Sequence, residues 1–421
     1  MLNKILKKLN SDNGVVLIGN VLASAVGLVT FMLLARVLTK AEFGAWALFI
    51  SAAGLLDLMR TGMVRQGMVR ALSIEKDEDE KQSILATSGL MALGLSLIAA
   101  LVIGSINLLA DTSEWSLNIF FVFYPIYVLV TFPSSLDTWK SHAEGRFKRM
   151  NGLRLFGNII FLSFVASEFY DHFTFTQFIW AYMLTQGIVS VYSLITLIRI
   201  RWQAFSKTRF AQLIAFGKHS LATLAGSNLL KSSDSLLIGA FMGNEAVAIY
   251  AIPLKALDLL DIPLRGFAMT SYRILSNYFE DQNQTAFNNH LWGKVKQLTA
   301  IFLPGVIVIA IVPQFVVAVL GGEGYGESAL ILRILTIPMI LMPLEKYMGM
   351  SFDSINQPKW NAMKVWLMVG LNVIGDVIVL YFFESLYLVA VVTITNISLG
   401  IAFSLLNHPY LVFRRSLFAL R

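Results

Sequence analysis

Apolar stretches long enough to cross a bilayer recur along the whole chain, separated by short charged or turn-rich breaks. At about 20 residues per crossing they predict twelve spans, over 14–38, 43–66, 84–109, 117–140, 152–168, 176–199, 216–241, 247–272, 296–319, 328–350, 363–382 and 387–410. The fifth is short. No break is long enough to hold a folded domain, so extramembrane chemistry has no place to sit. The first run follows Lys4, Lys7 and Lys8, like the charged start of a signal peptide, and Ala23-Ser24-Ala25 mimics a cleavage site. The run continues to Leu34 and further spans follow, which reads as an uncleaved first helix.

Composition agrees. Of 421 residues 56% are apolar and 14% charged, the mean hydropathy is +0.68, and there is no cysteine. A soluble domain is about a quarter charged, so a cytosolic globular enzyme, a disordered chain and a disulfide-stapled secreted module are excluded. The net charge of +7 matters through its placement. With the N-terminus inside, 25 of the 33 Lys and Arg fall in or beside cytoplasmic segments. Arg36 and Lys40 alone fall in external loops, and Arg60, Lys231, Lys255, Arg265, Arg333 and Lys346 fall inside spans. The positive-inside rule then puts both termini in the cytoplasm, with an even span count, in a multi-pass membrane protein. Nucleic acid is not the partner that this charge implies.

The chain looks doubled. LLARVLTKAEFGA (33–45) aligns with LLIGAFMGNEAVA (236–248), and LLDLMRTG (55–62) with LLDIPLRG (259–266), each at the first helix pair of its half. Six plus six helices, joined by the basic stretch 199–218 (Arg199, Arg201, Lys207, Arg209, Lys218), make two bundles related by an axis along the membrane normal, an architecture of transporters. The division expected is an N-terminal bundle over 1–200, a cytoplasmic linker over 201–215 and a C-terminal bundle over 216–421.

ARVLTKAEFGAWALFI (35–50) and GLLDLMRTGMVRQGMVRAL (54–72) resemble the opening of polysaccharide flippases. These are the O-antigen and capsule-repeat exporters, of lipopolysaccharide biosynthesis among other pathways, within the multidrug/oligosaccharidyl-lipid/polysaccharide exporter superfamily. VLGGEGYGESALILRILTIPMILMPL (319–344) and NQPKWNAMKVWLMVGLNVIGDVIVL (356–380) resemble the same family around its tenth and eleventh spans. The resemblance implies an all-α polytopic membrane protein, with twelve transmembrane helices in two six-helix bundles around a central, often cationic cavity. Through it a polyprenyl-diphosphate-linked oligosaccharide would pass from the inner to the outer leaflet. The cavity would be lined chiefly by spans one, two, seven and eight.

Ionizable residues inside the spans point the same way. A Lys or Arg facing lipid at mid-bilayer costs roughly 2.5–3.5 kcal/mol, so the six cations are expected to face protein or water. Arg60, Lys231, Lys255 and Arg265 gather on spans two, seven and eight. Lys255, Asp258, Asp261 and Arg265 share a wedge of about 120° on span eight, while Asp57 and Arg60, like Lys231 and Asp234, lie three apart on one face. They line a watery path, or they pair locally and hold helices together; the two are compatible. By count Asp57, Asp234, Asp258 and Asp261 cancel the four cations. The candidate diphosphate contacts are Arg60, Lys231, Lys255 and Arg265, with Arg36 at the external mouth. The four aspartates are candidates for charge pairing or for a coupling ion, a proton or sodium gradient being the possible drive. Arg333 is expected to snorkel at the external end of span ten, Glu345 and Lys346 to lie near its inner boundary, and Asp376 to pair across helices or bind an ion.

Gly19, Ala23 and Gly27 form a small-residue ridge for close helix approach. Eight of the ten prolines lie within spans, and Pro253 and Pro263, flanking the charged wedge, are the hinge candidates. Enzyme chemistry is missing. The five histidines lack metal-ligand spacing, Gly217-Lys218 is followed by His219 rather than Ser or Thr, and Gly321-Gly322-Glu323-Gly324 is a turn between spans. The reading is a non-enzymatic flippase without cofactor, acting in membrane lipid alongside a polysaccharide polymerase and chain-length partners. A cation-coupled drug or metabolite exporter of the same superfamily, and a non-transporting scaffold for envelope polysaccharide assembly, are the alternatives.

Overall fold

The computed structural model describes residues 12–168 and 172–411, and all regular structure among them is helical. Numbered in chain order, the helices are α1 (Asp12–Val37), α2 (Lys40–Ile74), α3 (Glu78–Leu109), α4 in two segments (Asn118–Val130 and Phe132–Ala143), α5 (Phe147–Ser167) and α6 (Phe175–Ile198). There follow α7 (Lys207–Met242), α8 (Asn244–Glu280), α9 (Gln284–Ile311, continued by Pro313–Gly321), α10 (Ser328–Ser354), α11 (Pro358–Phe383) and α12 (Leu386–Asn407). Each of the twelve expected spans falls on one of them. Among the described residues nine helices are long and apolar enough to cross a membrane, or ten with α4 taken as one bent span. The other two, α7 and α8, are 36 and 37 residues long and carry Lys231, Asp234, Lys255, Asp258, Asp261 and Arg265. The flanking Lys4, Lys7 and Lys8, like Arg414, Arg415 and Arg421, lie outside the described residues.

Local chemistry sets the ends. Thr39 opens α2 with a capping box: its amide and Oγ1 donate to Glu42 Oε2 (2.9 and 2.7 Å) and Glu42 N donates back to Thr39 Oγ1 (3.3 Å). Thr174 and Gln177 do the same for α6. Prolines that start a helix mark the breaks: Pro133 opens the second segment of α4, which is bent 50° from the first, and Pro313 opens the last piece of α9. The hinge candidates Pro253 and Pro263 instead lie inside α8, which runs unbroken from Asn244 to Glu280.

The chain divides into two compact units, Met1–Ala225 and Gly226–Arg421, and the division falls inside α7. In the first, α1 packs along α5 at Gly19, where a Cβ would lie 2.0 Å from Asn151 Nδ2, and buries Ala23. Gly27 meets nothing within 4 Å, so only the first half of the ridge serves close approach. Val64, Met68 and Leu72 of α2 pack with Ile84, Leu136, Trp139 and Leu213. In the second, Leu275, Phe287, Leu291, Met348 and Ile355 form one core cluster, and Ser271 Oγ meets Tyr347 Oη at 2.9 Å. Large apolar side chains such as Leu101, Val191, Ile198, Phe315 and Phe382 are exposed, as a lipid solvent allows.

Candidate functional site

The second half of α2 brings Asp57 and Arg60 together, but the arginine is 3% exposed. Its Nε donates to Asp57 Oδ1 (2.6 Å) and Nη2 to the same oxygen; Nη1 donates to the carbonyl of Val128 (3.0 Å) and to Ser96 Oγ (3.3 Å), and Nη2 also to Thr131 Oγ1 (3.3 Å). These acceptors lie on α3 and at the break in α4, so the guanidinium pins three helices. Immediately after it α2 widens into a π-turn, Thr61–Arg65. A diphosphate contact by Arg60 is not available in this arrangement: its donors are spent on protein.

Asp261 on α8 is the centre of a different arrangement. It is 5% exposed and faces three cations. Arg265, one turn on, donates from Nε (2.6 Å) and from Nη2; Lys231 Nζ of α7 lies 3.4 Å from Oδ2, and Lys346 Nζ of α10 lies 2.8 Å from Oδ1. The side chains of Lys231 and Arg265 are 49% and 54% exposed. One buried carboxylate thus holds three ammonium or guanidinium groups at an accessible surface and leaves two positive charges in excess. Beside it Glu345 accepts from Lys364 at 2.6 Å, a lysine 2% exposed that the sequence places in a cytoplasmic flank.

Lys231 therefore does not pair with Asp234, its neighbour on the same helix face. Asp234 turns into a buried polar cluster, where it accepts from Asn372 Nδ2 (2.6 Å), Tyr250 Oη (3.3 Å) and Thr393 Oγ1 (3.4 Å). The same Asn372 amide donates to Asp376 Oδ2 at 2.9 Å, and Asn396 Nδ2 donates to Asn372 Oδ1 at 3.0 Å. Asp376 Oδ1 is buried and receives no donor from the described residues. Two carboxyl groups from α7 and α11 are bridged by one amide, with hydroxyls from α8 and α12 completing the shell. Buried like charges at such range need a proton or a cation between them.

The remaining candidates are dispersed. Lys255 is half-buried with Asp258 as its neighbouring charge. Arg36 Nη1 donates to the carbonyl of Met32 at 2.8 Å, and Arg333 Nε to that of Ala310 at 3.1 Å. Sequence spacing missed Lys346, Lys364, Asn372 and Thr393, because their partners lie on other helices; the one available signal was that a charged or amide side chain inside an apolar span must find such a partner. Among the described residues no three His, Cys, Asp or Glu group so as to hold a metal ion.

Lipid-length apolar helices interrupted by buried ion pairs define a polytopic membrane protein, and its fold is one that solved transporters share. It is similar to an inward-facing multidrug resistance MATE family transporter of the MOP superfamily (TM-score 0.75, 15% identity, 94% of this chain and 95% of that one). It is also similar to the lipid II flippase MurJ in an inward closed conformation (TM-score 0.73, 14% identity, 96% and 90%), and to a MOP superfamily transporter from Pyrococcus furiosus (TM-score 0.63, 15%, 96% and 94%). The family model described as "Polysaccharide biosynthesis protein" matches residues 11–278, and the chain belongs to that family. A probable low-salt glycan biosynthesis flippase, Agl15 of Haloferax volcanii, is 20% identical over 171 residues, 41% of this chain; the match spans about a third of that relative's length (36%).

Proposed function

We propose that this protein is a flippase that carries polyprenyl-diphosphate-linked oligosaccharide repeat units from the cytoplasmic to the outer leaflet of the inner membrane by alternating access. The observation that carries the reading is the triple cation on Asp261. Lys231, Arg265 and Lys346 converge on one buried carboxylate and keep two positive charges unneutralized, with the side chains of Lys231 and Arg265 about half exposed. A diphosphate is the complementary ligand: Arg265 offers a planar fork for its oxygens while the two lysines act as mobile point charges. Asp261 holds the three cations at fixed spacing and keeps their mutual repulsion from scattering them. A cationic drug would meet repulsion at the same surface, which favours the glycan-lipid reading over an organic-cation exporter.

Coupling to a proton or sodium gradient fits the Asp234–Asp376 cluster. Oxygens from two carboxyls, a threonine and a tyrosine suit a small hard cation, and a proton meets the same electrostatic demand. The family membership and the likeness to a lipid-linked-substrate flippase support the reading.

The test is surface polysaccharide in cells that carry Lys231→Gln with Arg265→Gln as the sole copy. The expected result is normal protein abundance, accumulation of the lipid-linked repeat unit on the inner leaflet, and surface polysaccharide reduced at least about tenfold, as loss of two charge-assisted contacts demands. Undiminished surface polysaccharide would remove the assignment.

A further inference from the structure

Where α4 ends and α5 begins, next to the C-terminus of α6, a recess is lined by Lys140, Arg146, Arg149 and Arg199 together with Asp137 and Glu144. Its floor is built. Asp137, 1% exposed, accepts from Arg149 Nη2 (2.7 Å) and Nε (3.1 Å), and from Thr196 Oγ1 (2.9 Å). The Arg149 guanidinium also lies over the Tyr192 ring, 5.3 Å from its centroid. Above this floor Glu144 is shared by Arg146 (3.1 Å) and Lys140 (3.9 Å). Arg199, the C-cap residue of α6, is exposed.

Four cations against two carboxylates leave two positive charges in excess, which a purely structural ion-pair cluster would not carry. The recess holds about 40 Å³, the room of a water or two and so of a single oxyanion group rather than a sugar. What leads away from it is apolar. Leu184, Ile188, Val191, Ile195 and Ile198 on α6 are exposed along one stripe of the helix that ends at Arg199. A free anion complements the recess alone, whereas an anionic head on an apolar chain complements the recess and the stripe together.

The geometry points to a binding site for the phosphate headgroup of an anionic membrane phospholipid, with its acyl chain lying along α6. The site shares no residue with the Asp261 cluster and does not rest on the flippase reading. Arg149 positions the floor; Arg146 and Arg199 are the exposed arms that contact the headgroup.

Thermal unfolding of the full-length protein in neutral detergent tests this, with phosphatidylglycerol, phosphatidylcholine and inorganic phosphate as separate titrants. Phosphatidylglycerol is expected to raise the midpoint saturably, while phosphatidylcholine and inorganic phosphate leave it in place. Arg146→Gln with Arg199→Gln should weaken the apparent affinity for phosphatidylglycerol at least about tenfold. Arg149 is kept, since its removal would strand buried Asp137. If the double variant is itself destabilized, Arg199→Gln alone carries the test, with at least about a threefold loss expected. An equal shift from phosphatidylcholine would reduce the site to chain packing, and an equal shift from inorganic phosphate would make it an anion site without a lipid. A wild-type response in the variants would overturn it outright.

Discussion

Arg60 and Arg265 follow an aspartate by three and four residues at matching places in the two halves, and their surroundings separate them. Arg60 is sealed, with acceptors on three helices; Arg265 is half-exposed and shares Asp261 with two lysines. Arg60→Ala strands Asp57 and the Val128 carbonyl and is expected to cost about 3 kcal/mol, read as a large fall in unfolding midpoint and yield. Arg265→Ala leaves Asp261 with Lys231 and Lys346, so its stability cost should stay under about 1 kcal/mol while transport falls. His408, just past the last turn of α12, gives a pH signature. Burial beneath Phe352 and Phe287 lowers its pKa from 6.5 to about 4, offset only in part by the Ser351 backbone. The folded state keeps the imidazole neutral, so the unfolded chain binds more protons between these values. The stabilization is complete above about 6.5 and is lost as pH falls toward 4, amounting to about 3 kcal/mol. The midpoint difference between wild type and His408→Gln, measured from pH 7 to pH 4.5, should shrink across that window. A residue-level partner was readable only within a helix: Asp57–Arg60 follows from spacing, but Lys231 reaches Asp261 thirty residues away instead of Asp234 three away. No rule of helical spacing reports a contact between helices.

At the scale of elements, the periodicity and length of apolar runs specify where helices lie, because a bilayer leaves backbone groups no other partner. The ends are less legible. α2 runs on to Ile74, and α7 and α8 extend beyond their expected spans as far as Lys207 and Glu280, since segments polar enough to leave the bilayer remain helix-forming. Prolines within spans predict bends, yet the sharp break falls where a proline starts a segment, after Thr131, and not at the interior prolines of α8. Helix crossings depend on glycines whose purpose the sequence conceals. A Cβ on Gly217 would lie 2.3 Å from Met63 O and 2.7 Å from Met63 Cα, and one on Gly62 would lie 2.8 Å from Leu221 Cα, so the start of α7 crosses the π-turn of α2 backbone to backbone. Neither neighbour can swing aside. Gly217→Ala is expected to destabilize by at least about 2 kcal/mol, whereas Gly293→Ala, at an exposed position of α9 with nothing within 4 Å, should stabilize by up to about 1 kcal/mol. Paired thermal melts of the two variants check both signs.

Across the whole molecule the asymmetry of Lys and Arg predicts an orientation, and the absence of cysteine makes it directly measurable. Single cysteines can be read without background by a charged, membrane-impermeant maleimide. With both termini inside, Ser113→Cys between α3 and α4 and Ser385→Cys between α11 and α12 should label in intact cells. Glu144→Cys and Asp281→Cys should label only after permeabilization. The opposite pattern would invert the protein and, with it, the direction of transport proposed above. The same reagent distinguishes two kinds of exposure that geometry alone renders alike. Leu101 on α3 is exposed, and so are Lys231 and Arg265. A thiol at 101 would face hydrocarbon, where it stays protonated and the charged reagent does not enter, so Leu101→Cys should remain unlabelled. Lys231→Cys and Arg265→Cys should react, because a surplus of two positive charges is tolerable only against water or a bound anion. Failure of both to label from either side would place the cationic cluster in a dry environment, and a diphosphate would then have no route to it.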